Sequence, residues 1–132
     1  LSPLAYSLGE SMGKGFEELK VWQKAKDLAV LIYKITADGK SSKDFGLRDQ
    51  MRRSTVSIPS NIAEGDERDT DKESVRYFYI AKGSLAELRT QLMIAVEVGF
   101  LDKDEFAKIE LDCSEVGKML GGIIKHRKGE RP

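Results

Sequence analysis

The sequence predicts an all-α fold, an antiparallel up-and-down four-helix bundle. Four segments carry apolar residues at spacings of three and four, which is typical of a helix with one buried face. No segment alternates apolar and polar residues for long enough to predict a strand. The breaks between the segments are short, so neighbouring helices of about 20 residues should run in opposite directions.

The first two helices are predicted over about 16–37 and 44–64. Their buried faces are predicted to be formed by Leu19, Trp22, Ala25 or Lys26, Ala29, Ile32 and Tyr33, and by Leu47, Met51, Thr55, Ile58 and Ile62. Asp38-Gly39 is predicted to end the first helix. Ser42 or Asp44 is the expected N-cap of the second helix, and Gly65 is expected to follow its last residue.

The third helix is predicted to begin near Asp69 and to close at Gly99, and the fourth to run from Asp102 to about 125–128. Thr70 with Glu73, and Asp102 with Glu105, have the spacing of a capping box. Each helix carries a heptad-like seam, formed by Phe78, Ala81, Leu85, Leu88, Leu92 and Ala95, and by Phe106, Ile109, Cys113, Val116, Leu120 and Ile123. We expect the two seams to face the core together.

Pro59 lies well inside the second helix. A proline there removes a backbone hydrogen bond and clashes with the carbonyl one turn earlier, at a cost of about 3 kcal/mol. The second helix is therefore predicted to be kinked near Pro59, or to be interrupted, stopping near Ile58 and restarting. Asn61 is expected to satisfy the freed carbonyl, and the alternative is that it holds subunits in register.

Glycines inside the third and fourth helices predict a close approach between helices, because each costs up to about 1 kcal/mol relative to alanine. They are Gly83, Gly117 and Gly121. Together with Pro59 and Asn61, we assign structural roles to Gly83 and Glu64. In the aromatic run, Phe78 is predicted to be core, and Tyr77 and Tyr79 to pack against a neighbouring helix or subunit rather than stack bases.

Length and composition exclude several classes of protein. The 132 residues predict one domain, and a formal net charge of zero argues against a globally cationic nucleic-acid binder. The single cysteine, Cys113, leaves no internal disulfide, which fits the reducing cytoplasm. The longest apolar run, Leu28 to Tyr33, is too short to span a membrane. We therefore predict a cytoplasmic protein with no membrane association.

Residues 1–12 are interpreted as a disordered leader, either an expression remnant or an upstream extension, with the bundle over 13–128 and a tail over 129–132. The alternative is an arm that docks on a neighbouring subunit through Leu1, Leu4, Tyr6 and Leu8.

No residue set predicts catalysis, a metal site or a cofactor. His126 is the only histidine and lies in a basic tail, whereas Cys113 lies on an apolar seam and should be buried. A zinc site needs three or four converging ligands, and a nucleophile–base pair has no candidate. The chain is therefore predicted not to be an enzyme.

The zero net charge is a cancellation of opposed patches. Residues 40–53 carry +3 and residues 117–132 carry +4, whereas residues 64–73 carry −4 and residues 97–115 carry −5. Three interpretations stay open: solvated helix faces, head-to-tail contacts between subunits, and one phosphate-binding rim. The candidate contacts to nucleic acid or another partner are Arg48, Arg52, Arg53, Lys125, Arg127 and Lys128.

Five blocks occur in order along the chain: 16–25 (FEELKVWQKA), 45–47 with 50–53 (FGL and QMRR), 57–65 (SIPSNIAEG), 81–88 (AKGSLAEL) and 119–124 (MLGGII). Together they resemble the small bacterial four-helix-bundle protein family, whose members include proteins encoded in intervening sequences of 23S ribosomal RNA genes. The resemblance implies a ring-like homo-oligomer, often a pentamer, with no enzymatic activity.

A more distant resemblance is to the accessory protein of diversity-generating retroelements, a pentameric bundle that binds nucleic acid and a reverse transcriptase. Those relatives are basic, whereas this chain is neutral. The resemblance therefore predicts a non-enzymatic homopentameric scaffold or adaptor whose partner is RNA or a nucleic-acid-associated protein. The alternative is a nucleic-acid-binding accessory factor that acts with RNA, the ribosome or a reverse transcriptase.

Overall fold

Four helices form the bundle in the computed structural model, which describes residues 15–39 and 43–130. They are α1 (Lys20–Ile35), α2 (Phe45–Asp66), α3 (Asp71–Glu97) and α4 (Lys103–Arg127), and a short 3-10 turn, Phe16–Glu18, precedes α1. No strand occurs in the described residues. The all-α class and the four helices are confirmed, whereas the predicted leader over 1–12 lies outside the described residues.

The helices surround one core. Each packs mainly against the two that flank it, in the order α1, α2, α3, α4 and back to α1, and α2 with α3 forms the most extensive pair. The predicted α3 seam is confirmed, since all six of its residues are buried. On α4, Ile109, Cys113, Val116 and Leu120 are buried as predicted, while Phe106 and Ile123 lie half-buried at the edge of the core.

Contacts along α2 and α3 show that these two helices run in opposite directions. Ser54 Oγ donates to Gln91 Oε1 at 2.7 Å, the Ser57 and Ser84 hydroxyls are 2.8 Å apart, and Ser74 Oγ donates to the Gly65 carbonyl at 2.6 Å. As the position on α2 advances, its partner on α3 recedes. Because these side chains are small, the helices pack closely, and each of these serine hydroxyls has a partner, whereas the buried Thr55 Oγ1 has none among the described residues.

The predicted helix ends agree with the structure at three N-caps. The side chains of Asp44, Thr70 and Asp102 accept hydrogen bonds from the backbone N–H groups of the residues three positions later. Gly39 and Gly99, predicted to end the first and third helices, adopt φ angles of 78° and 82°. Glycine enters this left-handed region without strain, and Gly99, directly after the C-cap Val98, ends α3 in this way. α1 already ends at Ile35 with Thr36 as its C-cap, so Gly39 turns the chain only after that helix has ended.

The predicted role of Gly65 was wrong. This residue lies inside α2, which continues to Asp66, and Glu67 is the C-cap. A Cβ at Gly65 would stand 2.8 Å from the Phe78 ring and 3.0 Å from the Ser74 carbonyl oxygen. Gly65 therefore lets α3 approach α2, and its backbone freedom is not used.

α2 is one continuous helix across Pro59, so the alternative in which it stops near Ile58 and restarts is wrong. Ile58 and Ile62, on either side of the proline, are fully buried and fix both halves of α2 in the same core. Asn61 Nδ2 donates to the Ser57 carbonyl at 2.8 Å, not to the Thr55 carbonyl that the missing proline N–H would have bonded. The kink stays a prediction.

Candidate functional site

An apolar groove runs along the surface between α1 and α2. Its volume is about 830 Å³. Its walls are formed by Phe16, Trp22, Ala29, Val30, Tyr33 and Ala37 on one side, and by Val56, Pro59, Ser60 and Ala63 on the other. We call this surface the α1–α2 groove. Its aromatic end is fixed by an edge-to-face contact between Phe16 and Trp22, whose ring centroids are 5.1 Å apart.

Sequence reasoning did not find the α1–α2 groove, although a signal for it was present. On α2, the core residues Met51, Thr55, Ile58 and Ile62 follow a four–three–four spacing. The groove residues Arg52, Val56, Pro59 and Ala63 repeat that spacing one position later, and the last three of them are apolar. A helix that is apolar on two adjacent strips has a wider apolar face than its own core needs. The face of α2 turned towards α1 therefore extends beyond the core into solvent.

Arg52 closes one end of the α1–α2 groove. Its Nε donates to Thr36 Oγ1 at 2.9 Å, and its Nη2 donates to the Tyr33 carbonyl at 3.2 Å. The guanidinium also lies 4.4 Å from the centroid of the Tyr33 ring. Arg52, predicted as a contact to an external partner, thus satisfies a carbonyl in the last turn of α1 and binds the residue that caps this helix.

The other two arginines predicted on α2 have different environments. Arg48 pairs with Asp49 at 3.1 Å and stacks over the Phe45 ring at 4.6 Å. Arg53 is exposed, and no ion pair or ring contact engages it within the described residues. Of the three, Arg53 is the most available to a partner.

At the end of α4, the predicted basic residues also divide into engaged and exposed groups. Arg127 Nη2 donates to Asp66 Oδ1 at 2.7 Å, and both side chains are at most one-fifth exposed. Its guanidinium covers the Phe78 ring at 5.3 Å. Lys128 is exposed and pairs with Glu130 at 3.4 Å, which raises the pKa of the lysine, whereas Lys125 is exposed.

The two basic sets do not form one rim within a chain. Arg127 binds Asp66, the last residue of α2, whereas Arg48, Arg52 and Arg53 lie in the first half of that helix. At 1.5 Å per residue, roughly 20 Å separates Arg52 from Asp66. The sets lie towards opposite ends of α2, so a single phosphate would not reach both.

A profile of the 23S rRNA-intervening sequence protein family matches residues 17–122. The chain belongs to this family. A crystal structure from Bacteroides thetaiotaomicron VPI-5482, described as a protein with unknown function from the S23 ribosomal protein family, is similar with a TM-score of 0.73. The two chains are 27% identical, and the match covers 80% of this chain and 98% of the other. No curated protein matches the sequence. The resemblance to retroelement accessory proteins stays a prediction.

The residues to which we assigned structural roles have surroundings in this family member that differ from one residue to the next. Pro59 is buried in the wall of the α1–α2 groove, and Glu64 forms a surface ion pair with Arg68 one turn later. Gly83 does not allow a close approach within the chain, because a Cβ there would meet nothing within 4 Å. The same holds for Gly121, whereas Gly117 faces Leu85 at 3.4 Å. The predicted close approach is thus wrong at Gly83 and Gly121 within one chain.

None of the helices in the described part of this family member combines the length and the apolar character that crossing a membrane requires. Within residues 15–39 and 43–130, no cluster of His, Cys, Asp and Glu side chains could hold a metal ion. Cys113 is fully buried on α4, as predicted. Burial, with a smaller contribution from Glu110, raises the pKa of its thiol to about 12. A thiol in this environment does not supply a thiolate nucleophile near neutral pH.

The buried thiol makes stability depend on alkaline pH. Unfolding returns the pKa of the Cys113 thiol to its ordinary value of 9.0. The unfolded chain then loses this proton at a lower pH than the folded chain. The contribution of the protonated Cys113 thiol to the free energy of unfolding is therefore complete below pH 9. It decreases by about 1.4 kcal/mol per pH unit as the pH rises from there towards the pKa of the folded chain. Urea unfolding from neutral pH to pH 11 should show this slope. It should be shallower in Cys113→Ala, and equal slopes would contradict the assignment.

Proposed function

We propose that the chain is a non-enzymatic scaffold or adaptor that assembles as a closed ring of identical copies. The number of copies follows from the family resemblance, which implies a pentamer. The observation that supports assembly is the α1–α2 groove. Three of its large apolar side chains are partly exposed, namely Val30 at 46%, Tyr33 at 44% and Val56 at 41%. A contiguous apolar surface of this kind marks a site of interaction with another molecule.

The state of the reactive side chains supports a role without catalysis. Cys113 is buried with a raised pKa, and His126 is an exposed residue at the end of α4, thirteen positions later. A separation of roughly 20 Å along one helix keeps the imidazole from acting as a base for the thiol. We also propose a cytoplasmic location, because a sequence with one cysteine forms no internal disulfide and therefore gains no such stabilisation in an oxidising compartment.

The alternative function, nucleic-acid binding beside RNA or a reverse transcriptase, has weaker support. Arg48, Arg52, Arg127 and Lys128 are already engaged within the chain, which leaves Arg53 and Lys125 as the better candidates for phosphate contacts. Binding of this kind would weaken steeply with added salt and would be reduced in Arg53→Glu. RNA that does not bind at low salt would exclude it.

The mass of the particle in solution tests the proposed ring. Light scattering at micromolar concentration should give a multiple of the chain mass of 14.8 kDa, with the pentamer as the expected species. Val56→Glu should shift the mass towards a single chain, because a carboxylate in the α1–α2 groove would lose its hydration on assembly. A wild-type protein that stays at 14.8 kDa across the accessible concentrations would contradict the proposal.

A further inference from the structure

A second apolar surface lies on the outer side of α3. Ser84 and Gln91 bond to α2, Arg89 bonds to α4, and Leu88 faces the core, so the remaining side of α3 points outwards. That side carries four large apolar residues that are each between 42% and 47% exposed, namely Tyr79, Ile80, Met93 and Ile94. Gly83, Glu87 and Thr90 lie between them. We call this surface the α3 stripe.

We propose that the α3 stripe of one copy lies in the α1–α2 groove of the next copy. The inference rests on the proposed ring and names the two surfaces that form its contact. Both surfaces are apolar, and neither is covered by another part of the described chain. They are also unlike each other, one concave and one convex. A contact between unlike surfaces repeats from copy to copy, and it either closes into a ring or continues as a filament.

The shapes of the two surfaces suit each other. The middle of the α3 stripe is low, because Gly83 has no side chain and a Cβ there would meet nothing within 4 Å. A glycine inside a helix is less favourable than alanine, and no contact within the described residues compensates for it at Gly83. Ala29 and Ala63, which are also small, line the α1–α2 groove. A neighbouring helix can therefore approach until its apolar residues at either end enter the groove.

Charges around the two surfaces are complementary at one end of the stripe. Lys26 and Lys34 are exposed at the edge of the α1–α2 groove, and Glu87 and Glu97 are exposed along the outer side of α3, whereas Lys82 and Lys128 lie beside Tyr79 at the other end of the stripe. No ion pair within the described residues engages Lys34, Glu87 or Glu97, and Lys26 pairs only with the adjacent Asp27. Ion pairs at the edge of an interface contribute more to orientation than to affinity. They would select the α3 stripe, and not a second groove, as the surface that enters.

Disulfide cross-linking of the full chain tests the pairing. One chain would carry Val56→Cys in the groove together with Ile80→Cys or Ile94→Cys on the stripe, since the direction of the docked helix decides which end of the stripe faces Val56. On mild oxidation, one of these double variants should give a ladder of linked chains that ends at the closed ring. Each single variant should give no linked product, because the contact joins unlike surfaces. The native Cys113 is buried and should give none either.

Val56→Cys combined with Leu111→Cys is the matched control. Leu111 is 72% exposed on α4, outside the stripe, and this pair should stay unlinked. As a second measurement, Ile94→Glu should raise the dissociation constant of the assembly at least about a hundredfold, because it buries an unpaired carboxylate. Ile94 is 47% exposed in the single chain, so its circular dichroism spectrum should stay unchanged.

The outcomes separate this inference from the proposed function. A wild-type protein that is monomeric would overturn both. If the wild-type protein assembles, two cross-linking results would overturn the pairing alone. They are dimers of the Val56→Cys single variant, and linkage only in the variant that combines Val56→Cys with Leu111→Cys. The same conclusion would follow if Ile94→Glu left the assembly unchanged. A ladder specific to groove and stripe, lost in Ile94→Glu, would establish it.

Discussion

Replacing Phe78 by alanine is expected to lower the free energy of unfolding by about 3–5 kcal/mol. Phe78 is fully buried, and its neighbours on two sides cannot move in to fill the cavity that the substitution would leave. On one side is the backbone of α2 at Gly65, and on the other is the guanidinium of Arg127, 5.3 Å from the ring centroid and bonded to Asp66. The cavity should therefore stay open, and the Arg127–Asp66 pair would lose the surface on which it lies.

Phe45→Ala is the matched control for this measurement, because it removes the same side chain from a site that is 63% exposed. Its effect should be below about 1 kcal/mol, since it loses mainly a surface contact with Arg48. Urea unfolding followed by circular dichroism, at one protein concentration, would measure both variants. If the two substitutions cost the same free energy, Phe78 would not be the packing centre of this end of the bundle.

The sequence alone was sufficient to predict the core of α3 and four of the five buried residues of α4, whereas the buried Ile124 was missed. The heptad-like spacing from Phe78 to Ala95 defines a narrow apolar strip, and a helix with a single apolar strip buries that strip against the core. The N-caps at Thr70 and Asp102 were predictable for a similar reason, since each depends on residues within one turn. Such features depend on local spacing and not on the arrangement of the helices.

Features that depend on which helices meet were missed. Gly65 looked like the residue after a helix end, because glycine is common there, and only the position of Phe78 shows that it serves close packing. Similarly, the bond from Arg127 to Asp66 joins residues 61 positions apart. The count of charges along the chain placed Arg127 in a basic patch, whereas the folded chain uses it to neutralise a carboxylate.

The candidate site was missed for a related reason. Val56 and Ala63 lie one position beyond the predicted core strip of α2, and spacing alone does not tell how much of an apolar face a neighbouring helix will cover. That depends on the size of the residues at the α1–α2 contact. Pro59 drew attention as a possible break, yet in the folded chain it is part of the groove wall. Proline is disfavoured inside a helix, and here this local exception lies on the surface to which we assign the function.

Gly65→Ala is expected to destabilise the protein by about 1–3 kcal/mol, although alanine is the better helix former. The new methyl group would stand 2.8 Å from the Phe78 ring and 3.0 Å from the Ser74 carbonyl oxygen. Neither can yield easily, because Phe78 is fully buried and the Ser74 carbonyl belongs to the first turn of α3. To make room, α3 would move away from α2 and weaken the Ser74 bond to the Gly65 carbonyl.

Gly121→Ala separates this packing effect from helix propensity. Gly121 is also inside a helix, but a Cβ there would meet nothing within 4 Å, so the substitution should stabilise by up to about 1 kcal/mol. Opposite signs for the two variants in urea unfolding are the expected result. The double variant Gly65→Ala with Phe78→Leu should lose less stability than the two single effects added together, because a smaller side chain relieves the clash. If Gly65→Ala stabilised the protein as much as Gly121→Ala, α2 and α3 would not be in close contact at Gly65. The packing of α3 against the end of α2 described above would then be wrong.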